Sequence, residues 1–184
     1  MTPLFTVHAG EYLVGTKLES EFRGCRVWLP TKDTGVDLLL TSASCSKSVP
    51  LQVKYSRDYV ESSPADPELR SIARSSFFRV DRGRIERSPA QYWIIVLHSF
   101  TSRQPRFVVV PPSDLLRLIQ QHHGRRDAYS LYFCVIGDRK CWELRGLSRR
   151  EIKAALDAGA ITSSRDFSRF LDDWSTIHGE IDAY

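Results

Sequence analysis

The stretch Gly35-Val36-Asp37-Leu38-Leu39-Leu40, followed past a serine-rich link by Val49-Pro50-Leu51-Gln52-Val53-Lys54, decides how the chain is read. Both runs are short, apolar and bounded by turn formers, so each predicts a β-strand, and the link between them predicts a hairpin. Side chains alternate between the two faces of a strand. Asp37, Leu39 and Thr41 therefore share one face of the first strand, and Gln52 and Lys54 share one face of the second, with Leu51, Val53 and Tyr55 behind them. A carboxylate, an amide and an ammonium are expected to converge. Buried charges are costly unless paired or metal-bound, so their inward placement in an otherwise oily hairpin predicts a chemical use.

The Asp…Gln-x-Lys spacing resembles the PD-(D/E)xK nuclease superfamily, in the variant where Gln replaces the second acid, as in Mrr-type restriction enzymes. The segment ahead of it is similar to archaeal Holliday junction resolvases of that superfamily, in which a Glu opens the first helix. Here Ala9-Gly10-Glu11-Tyr12-Leu13-Val14 precedes Cys25-Arg26-Val27-Trp28-Leu29 in the same order. Glu11, Asp37, Gln52 and Lys54 are the matched positions. The match spans residues 8–56, and Val36 stands where a proline is usual before the first acid.

The resemblance implies an α/β, restriction-endonuclease-like fold, a mixed central sheet flanked by helices, with C-terminal helices packed on the core. It also implies Mg²⁺- or Mn²⁺-dependent hydrolysis of DNA phosphodiester bonds. Hard cations prefer oxygen donors, which makes Asp37 the expected anchor, with the Gln52 side-chain carbonyl, the Val53 backbone carbonyl and Glu11 completing the set. Lys54 is expected beside the attacking water or the charge that develops on phosphorus. Each residue also has a plainer role. Glu11 complements a helix N-terminus, and a strand lysine discourages edge pairing.

At 184 residues the chain is expected to form one nuclease-like domain over 1–184, its C-terminal helical part running from 147 to 184. Lysine and arginine number 26 against 22 acids, a net charge of +4 that suits a polyanion partner without requiring one. The expected partner is DNA, with RNA left open. The four cysteines, Cys25, Cys45, Cys134 and Cys141, show no zinc-ligand spacing. With no signal peptide or membrane-length apolar run, the sequence predicts a cytoplasmic protein with reduced thiols.

Gly10 to Phe22 predicts a helix with Val14, Leu18 and Phe22 on one stripe, closed by Gly24. Cys25–Leu29 predicts a strand, and the loop after it offers Asp33 as a competing acid. Beyond Lys54, Asp66-Pro67-Glu68 carries the cap, proline and acidic first turn of a short helix. An arginine-dense region, Arg70, Arg74, Arg79, Arg82, Arg84 and Arg87, follows as a candidate phosphate-tracking surface. Arg57, Arg70, Arg74 and Arg79 are candidate nucleic-acid contacts, the alternative being a solvated face with Phe77 and Phe78 in the core.

Gln91–His98 predicts a central strand, apolar on both faces, and Arg106–Val110 the next. Pro111-Pro112-Ser113-Asp114 stops that strand and caps a helix through Leu115, Leu116, Leu118 and Ile119 that ends at His122-His123-Gly124, where the histidines suit the helix terminus electrostatically. Ser130–Ile136 and Lys140–Leu144 predict a hairpin. Ser148-Arg149-Arg150-Glu151 predicts a capping box. Phe167, Phe170, Leu171, Trp174 and Ile177 step by three and four, which predicts a last amphipathic helix whose stripe is either core or the seat of a homodimer or partner. Two further classes stay open beside the nuclease: a catalytically inactive nuclease fold that binds nucleic acid or protein, and a structural subunit.

Overall fold

A computed structural model describes residues 8–32, 34–57, 72–98 and 104–181. The chain is mixed α/β. Helix α1 (Ala9–Glu21) leads into strands β1 (Arg26–Trp28), β2 (Leu38–Thr41) and β3 (Ser48–Arg57). Strand β4 (Ile72–Asp81) and helix α2 (Arg82–Glu86) follow, then β5 (Tyr92–His98), β6 (Arg106–Val110) and helix α3 (Pro112–His123). The hairpin β7 (Ala128–Ile136) and β8 (Lys140–Glu143), helix α4 (Arg149–Ala158) and helix α5 (Ser175–Ile181) complete it.

The first sheet has the order β1-β2-β3-β5-β6 and is mixed: β3 and β5 run parallel and all its other pairs are antiparallel. Strand β3 is central, as its apolar residues require. Val49, Leu51 and Val53 pack with Val14, Leu18 and Phe22 of α1 and with Trp174, Ile177 and Ile181 on one face. Trp93, Ile95 and Leu97 of β5 point the other way and meet Phe78, Val80, Leu131, Phe133 and Val135 of the second sheet, order β4-β7-β8, together with Leu115, Leu118 and Ile119 of α3. The outer side of that second sheet, Cys134, Trp142 and Leu144, is covered by Ile152, Ala155 and Leu156 of α4. The layers are thus helix, sheet, sheet, helix.

Helix α4 is capped as its sequence predicts. The Ser148 hydroxyl accepts from the Glu151 amide, the Glu151 carboxylate accepts from the Ser148 amide, and Gly159 closes the helix at φ 61°. One element goes unpredicted and one expectation is corrected. The arginine-dense region contains strand β4, in which Phe78 and Val80 are buried while Arg79 and Asp81 face solvent, an alternation masked by the arginines around it.

The last amphipathic helix does not form as one unit. Ser163–Arg165 and Ser168–Phe170 are short 3-10 turns, and only Ser175–Ile181 is α-helical. Polar side chains end each piece: Asp166 accepts from the Ser168 amide, Asp172 takes a left-handed φ of 53° and accepts from the Phe107 amide, and Asp173 accepts from the Ser175 amide. The segment thereby turns around β6, bridging Val108 through Leu171. Phe167 and Phe170 enter the core between the sheets and Trp174 the core under α1, so the aromatic stripe belongs to the protein's own interior. No helix among the described residues is long and apolar enough to cross a membrane. All four cysteines are free thiols.

Candidate functional site

The hairpin register brings Asp37 to Gln52. Leu38 pairs with Leu51, so the next position on each strand sets the carboxylate opposite the amide, on the face away from α1. The Asp37 amide donates to the Leu51 carbonyl at 2.8 Å, and its carboxylate Oδ2 accepts from the Val53 amide at 2.7 Å. The side chain thus replaces β2 as ladder partner where that strand stops. Gln52 Nε2 donates to the same oxygen. Among the described residues, both donors meet Oδ2 and none meets Oδ1.

Lys54, two residues on, projects from the same face, its Nζ 5.3 Å from the centroid of the buried Trp93 ring. Trp93 is held by its own hydrogen bond to Ser88, at 2.8 Å. Glu11 stands in the first turn of α1, where its carboxylate accepts from the His8 amide at 3.2 Å. Its position follows from Gly10, buried where α1 touches β3. A Cβ on residue 10 would lie 2.5 Å from Tyr55 Cβ, so only glycine permits this approach. Gly35, at φ 86°, packs against Pro89 near Gln52 and narrows the opposite wall.

Glu11, Asp37, Gln52, Val53 and Lys54 all line one cleft of about 700 Å³, whose far wall carries Arg84, Arg87, Ser88 and Pro89. Three cations, Lys54, Arg84 and Arg87, therefore surround two carboxylates. A smaller pocket of about 330 Å³ continues the cleft past Lys54 and Arg84 to Arg79 and Asp81. Of the expected nucleic-acid contacts, Arg79 is exposed on this extension. Arg57 and Arg74 lie in β3 and β4 with side chains outside the description, and Arg70 lies outside the described residues, as do Asp33 and the Asp66-Pro67-Glu68 turn. Arg84 and Arg87 belong to the arginine-dense region that the sequence offers as a phosphate-tracking surface, although neither is expected at the site of Asp37. They enter the cleft because Asp81 caps α2, accepting from the Arg84 amide at 3.3 Å, and turns the chain toward Asp37.

The oxygen set suits a hard divalent cation. Asp37 Oδ1 and Glu11 supply charge, and the Val53 carbonyl and a turned Gln52 amide supply neutral donors. In the present arrangement Gln52 offers nitrogen to Asp37, so its oxygen reaches the same place only after the amide rotates by half a turn.

A second cluster escapes sequence reasoning. Glu143, fully buried, accepts from His122 Nε2 at 2.9 Å and from Arg165 Nη1 at 2.9 Å on one oxygen, and from the Tyr132 and Arg145 amides on the other. His123 Nε2 lies 3.2 Å from the carboxylate. Burial pushes this carboxyl up, but the hydrogen bonds from His122 and Tyr132, with the His123 imidazole close by, outweigh it and hold the pKa at about 2. The two histidines and the acid have metal-ligand spacing. The Arg165 guanidinium, however, already fills one direction at the shared oxygen and would repel a cation, so the geometry is that of a compensated buried charge. The adjacent histidines meet because His123 is the final residue of α3, where the helix gives way to Gly124. The signal was available in Cys141-Trp142-Glu143-Leu144, an acid inside an apolar strand.

No family model matches this chain, and neither the curated proteins nor the solved structures yield a match.

Proposed function

We propose that the protein is a metal-dependent nuclease of restriction-endonuclease-like fold that hydrolyses DNA phosphodiester bonds, serving restriction, defence or DNA processing. The observation that carries this reading is the convergence of Glu11, Asp37, Gln52 and Lys54, far apart in sequence, in one cleft faced by Arg84 and Arg87. A packing requirement explains none of these six side chains together, whereas a phosphodiester needs each kind.

Arg84 and Arg87 hold and orient the phosphate by charge-assisted hydrogen bonds. Lys54, restrained over Trp93, stabilises the negative charge that grows on the phosphoryl oxygens as water attacks. Asp37, Glu11, Gln52 and the Val53 carbonyl would hold Mg²⁺ or Mn²⁺, whose chemistry there is to polarise the phosphate and acidify a bound water. With Gln in place of a second acid the site has low negative charge, so the phosphate itself contributes to cation binding.

A second reading rests on the Gln52–Asp37 hydrogen bond, by which a neutral amide engages one oxygen of the carboxylate. On that reading the chain is an inactive nuclease fold that binds nucleic acid or protein through the same cleft. A cleavage assay with Mg²⁺ or Mn²⁺ on supercoiled, linear, branched and single-stranded DNA separates the two. Cleavage by the wild type and its loss in Asp37→Asn support the enzyme. Binding with no cleavage of any substrate supports the second reading.

A further inference from the structure

Three of the four tryptophans, Trp93, Trp142 and Trp174, are buried, whereas Trp28 is 48% exposed. It ends the edge strand β1, and its side is fixed by its neighbours. Val27 packs on the core under α1, so alternation turns Trp28 to the opposite face of the sheet. The indole Nε1 donates to Thr41 Oγ1 at 3.0 Å, and Thr41 itself alternates with the core residue Leu40. This is the face that carries Asp37, Gln52 and Lys54. Trp28 pairs with Leu39, two residues along β2 from Asp37. One strand across and two residues along is a backbone separation of about 8 Å.

The same face is covered differently along the sheet. Over β5 and β6 it meets the second sheet, but none of the residues in that core comes from β1, β2 or β3. Trp28 is therefore an aromatic surface on the cleft's face of the sheet, its ring held by the bond to Thr41 on the side of Leu39 away from Asp37. Arg26, two residues earlier and exposed, shares its face. A fixed ring next to a cation is what a nucleic-acid strand with an unpaired base requires: a π-face to stack on and a charge for the adjoining phosphate. Bases within a duplex already have both faces stacked and offer the ring nothing.

We infer that Trp28 is a stacking platform for an unpaired nucleobase of the substrate strand, so that the substrate has a single-stranded segment on the Thr41 side of the bond placed at Asp37, separated from that bond rather than adjoining it. The inference rests on the nuclease reading of the cleft and narrows its substrate class. Arg26 takes the neighbouring phosphate, and Thr41 acts as a positioning residue for the ring.

Tryptophan fluorescence of the full chain, excited where tyrosine does not absorb, tests this directly, since Trp28 is the one exposed tryptophan of the four. In EDTA, a single-stranded oligothymidylate should quench the emission saturably, and a blunt duplex of equal length should not. Trp28→Phe should remove the quench. Trp28→Ala should weaken oligonucleotide binding, measured by anisotropy of a labelled strand, about five- to a hundredfold. Equal quenching by the duplex, or unchanged affinity in Trp28→Ala, overturns the platform. So does light scattering that shows Trp28→Ala dissolving a homodimer of the wild type, which would assign the ring to self-association. If the wild type cleaves DNA while Trp28 stays silent, the platform fails and the nuclease reading stands. If the wild type neither binds DNA nor cleaves it, both fall.

Discussion

Gly10→Ala is a one-methyl test of how the cleft is built. The added Cβ would stand 2.5 Å from Tyr55 Cβ and 3.2 Å from both Tyr55 Cγ and Val53 Cγ1, and the first of these atoms cannot swing away because it is fixed to the β3 backbone. Helix α1 must therefore lift from the sheet by about an ångström to restore van der Waals contact. Overpacking of this kind costs about 1–3 kcal/mol. The lift carries Glu11 with it, away from Asp37, and a displacement of about 1 Å at a catalytic site lowers the rate about a hundredfold.

Gly15, in the same helix, supplies the control, because a Cβ there meets nothing within 4 Å. Gly15→Ala should gain about 0.5–1 kcal/mol from helix propensity and leave cleavage as it is. Urea unfolding reads the stability of both variants from the midpoint at constant slope, and a plasmid cleavage assay reads the rate. If Gly10→Ala matches Gly15→Ala in stability and rate, α1 does not press on β3 as described and does not set the position of Glu11.

Lys54→Ala should leave divalent-metal binding intact while reducing cleavage about a hundredfold or more, as seen by calorimetry beside single-turnover kinetics. Removing Arg84 or Arg87 should weaken DNA binding and lower the slope of log affinity against log salt by about 1 each, and reversing Arg79 should flatten it too; an unchanged slope makes them a solvated face. Glu143 has its carboxyl pKa depressed from 4.5 to about 2, so its contribution of about 3 kcal/mol is complete above pH 4.5 and lost as pH falls toward 2. Thermal melts should show that loss in the wild type and not in Glu143→Gln, and equal pH profiles would contradict the buried-charge description.

How much of this was legible in the sequence depends on the range of the forces involved. Asp37, Gln52 and Lys54 were readable because strand alternation is local, and one register, Leu38 against Leu51, suffices to bring the acid to the amide. Glu11 was readable through its place at a helix start, but its approach to the cleft depends on Gly10 meeting Tyr55, a contact 45 residues apart that periodicity does not encode. Arg84 and Arg87 stood in a region readable as a phosphate surface, but their convergence on Asp37 needed the Asp81 cap.

The C-terminal segment misled for a specific reason. Phe167, Phe170, Trp174 and Ile177 have helical spacing, yet two separate cores on either side of the first sheet claim them, and the aspartates between them cap turns. A spacing rule assumes one apolar surface to face. Glu143 and its histidines were hidden by the converse limit, since a strand, a helix end and a 3-10 turn meet there only in the folded chain.

The central claim is that Asp37 anchors a divalent cation in the cleft, and calorimetric titration of Mg²⁺ and of Mn²⁺ into the protein, with and without DNA, tests it most directly. The expected result is saturable binding by the wild type, tighter with DNA present, tighter again in Gln52→Glu, and absent in Asp37→Asn although that variant stays folded. Absence of binding by the wild type even with DNA, or undiminished binding by Asp37→Asn, would contradict it.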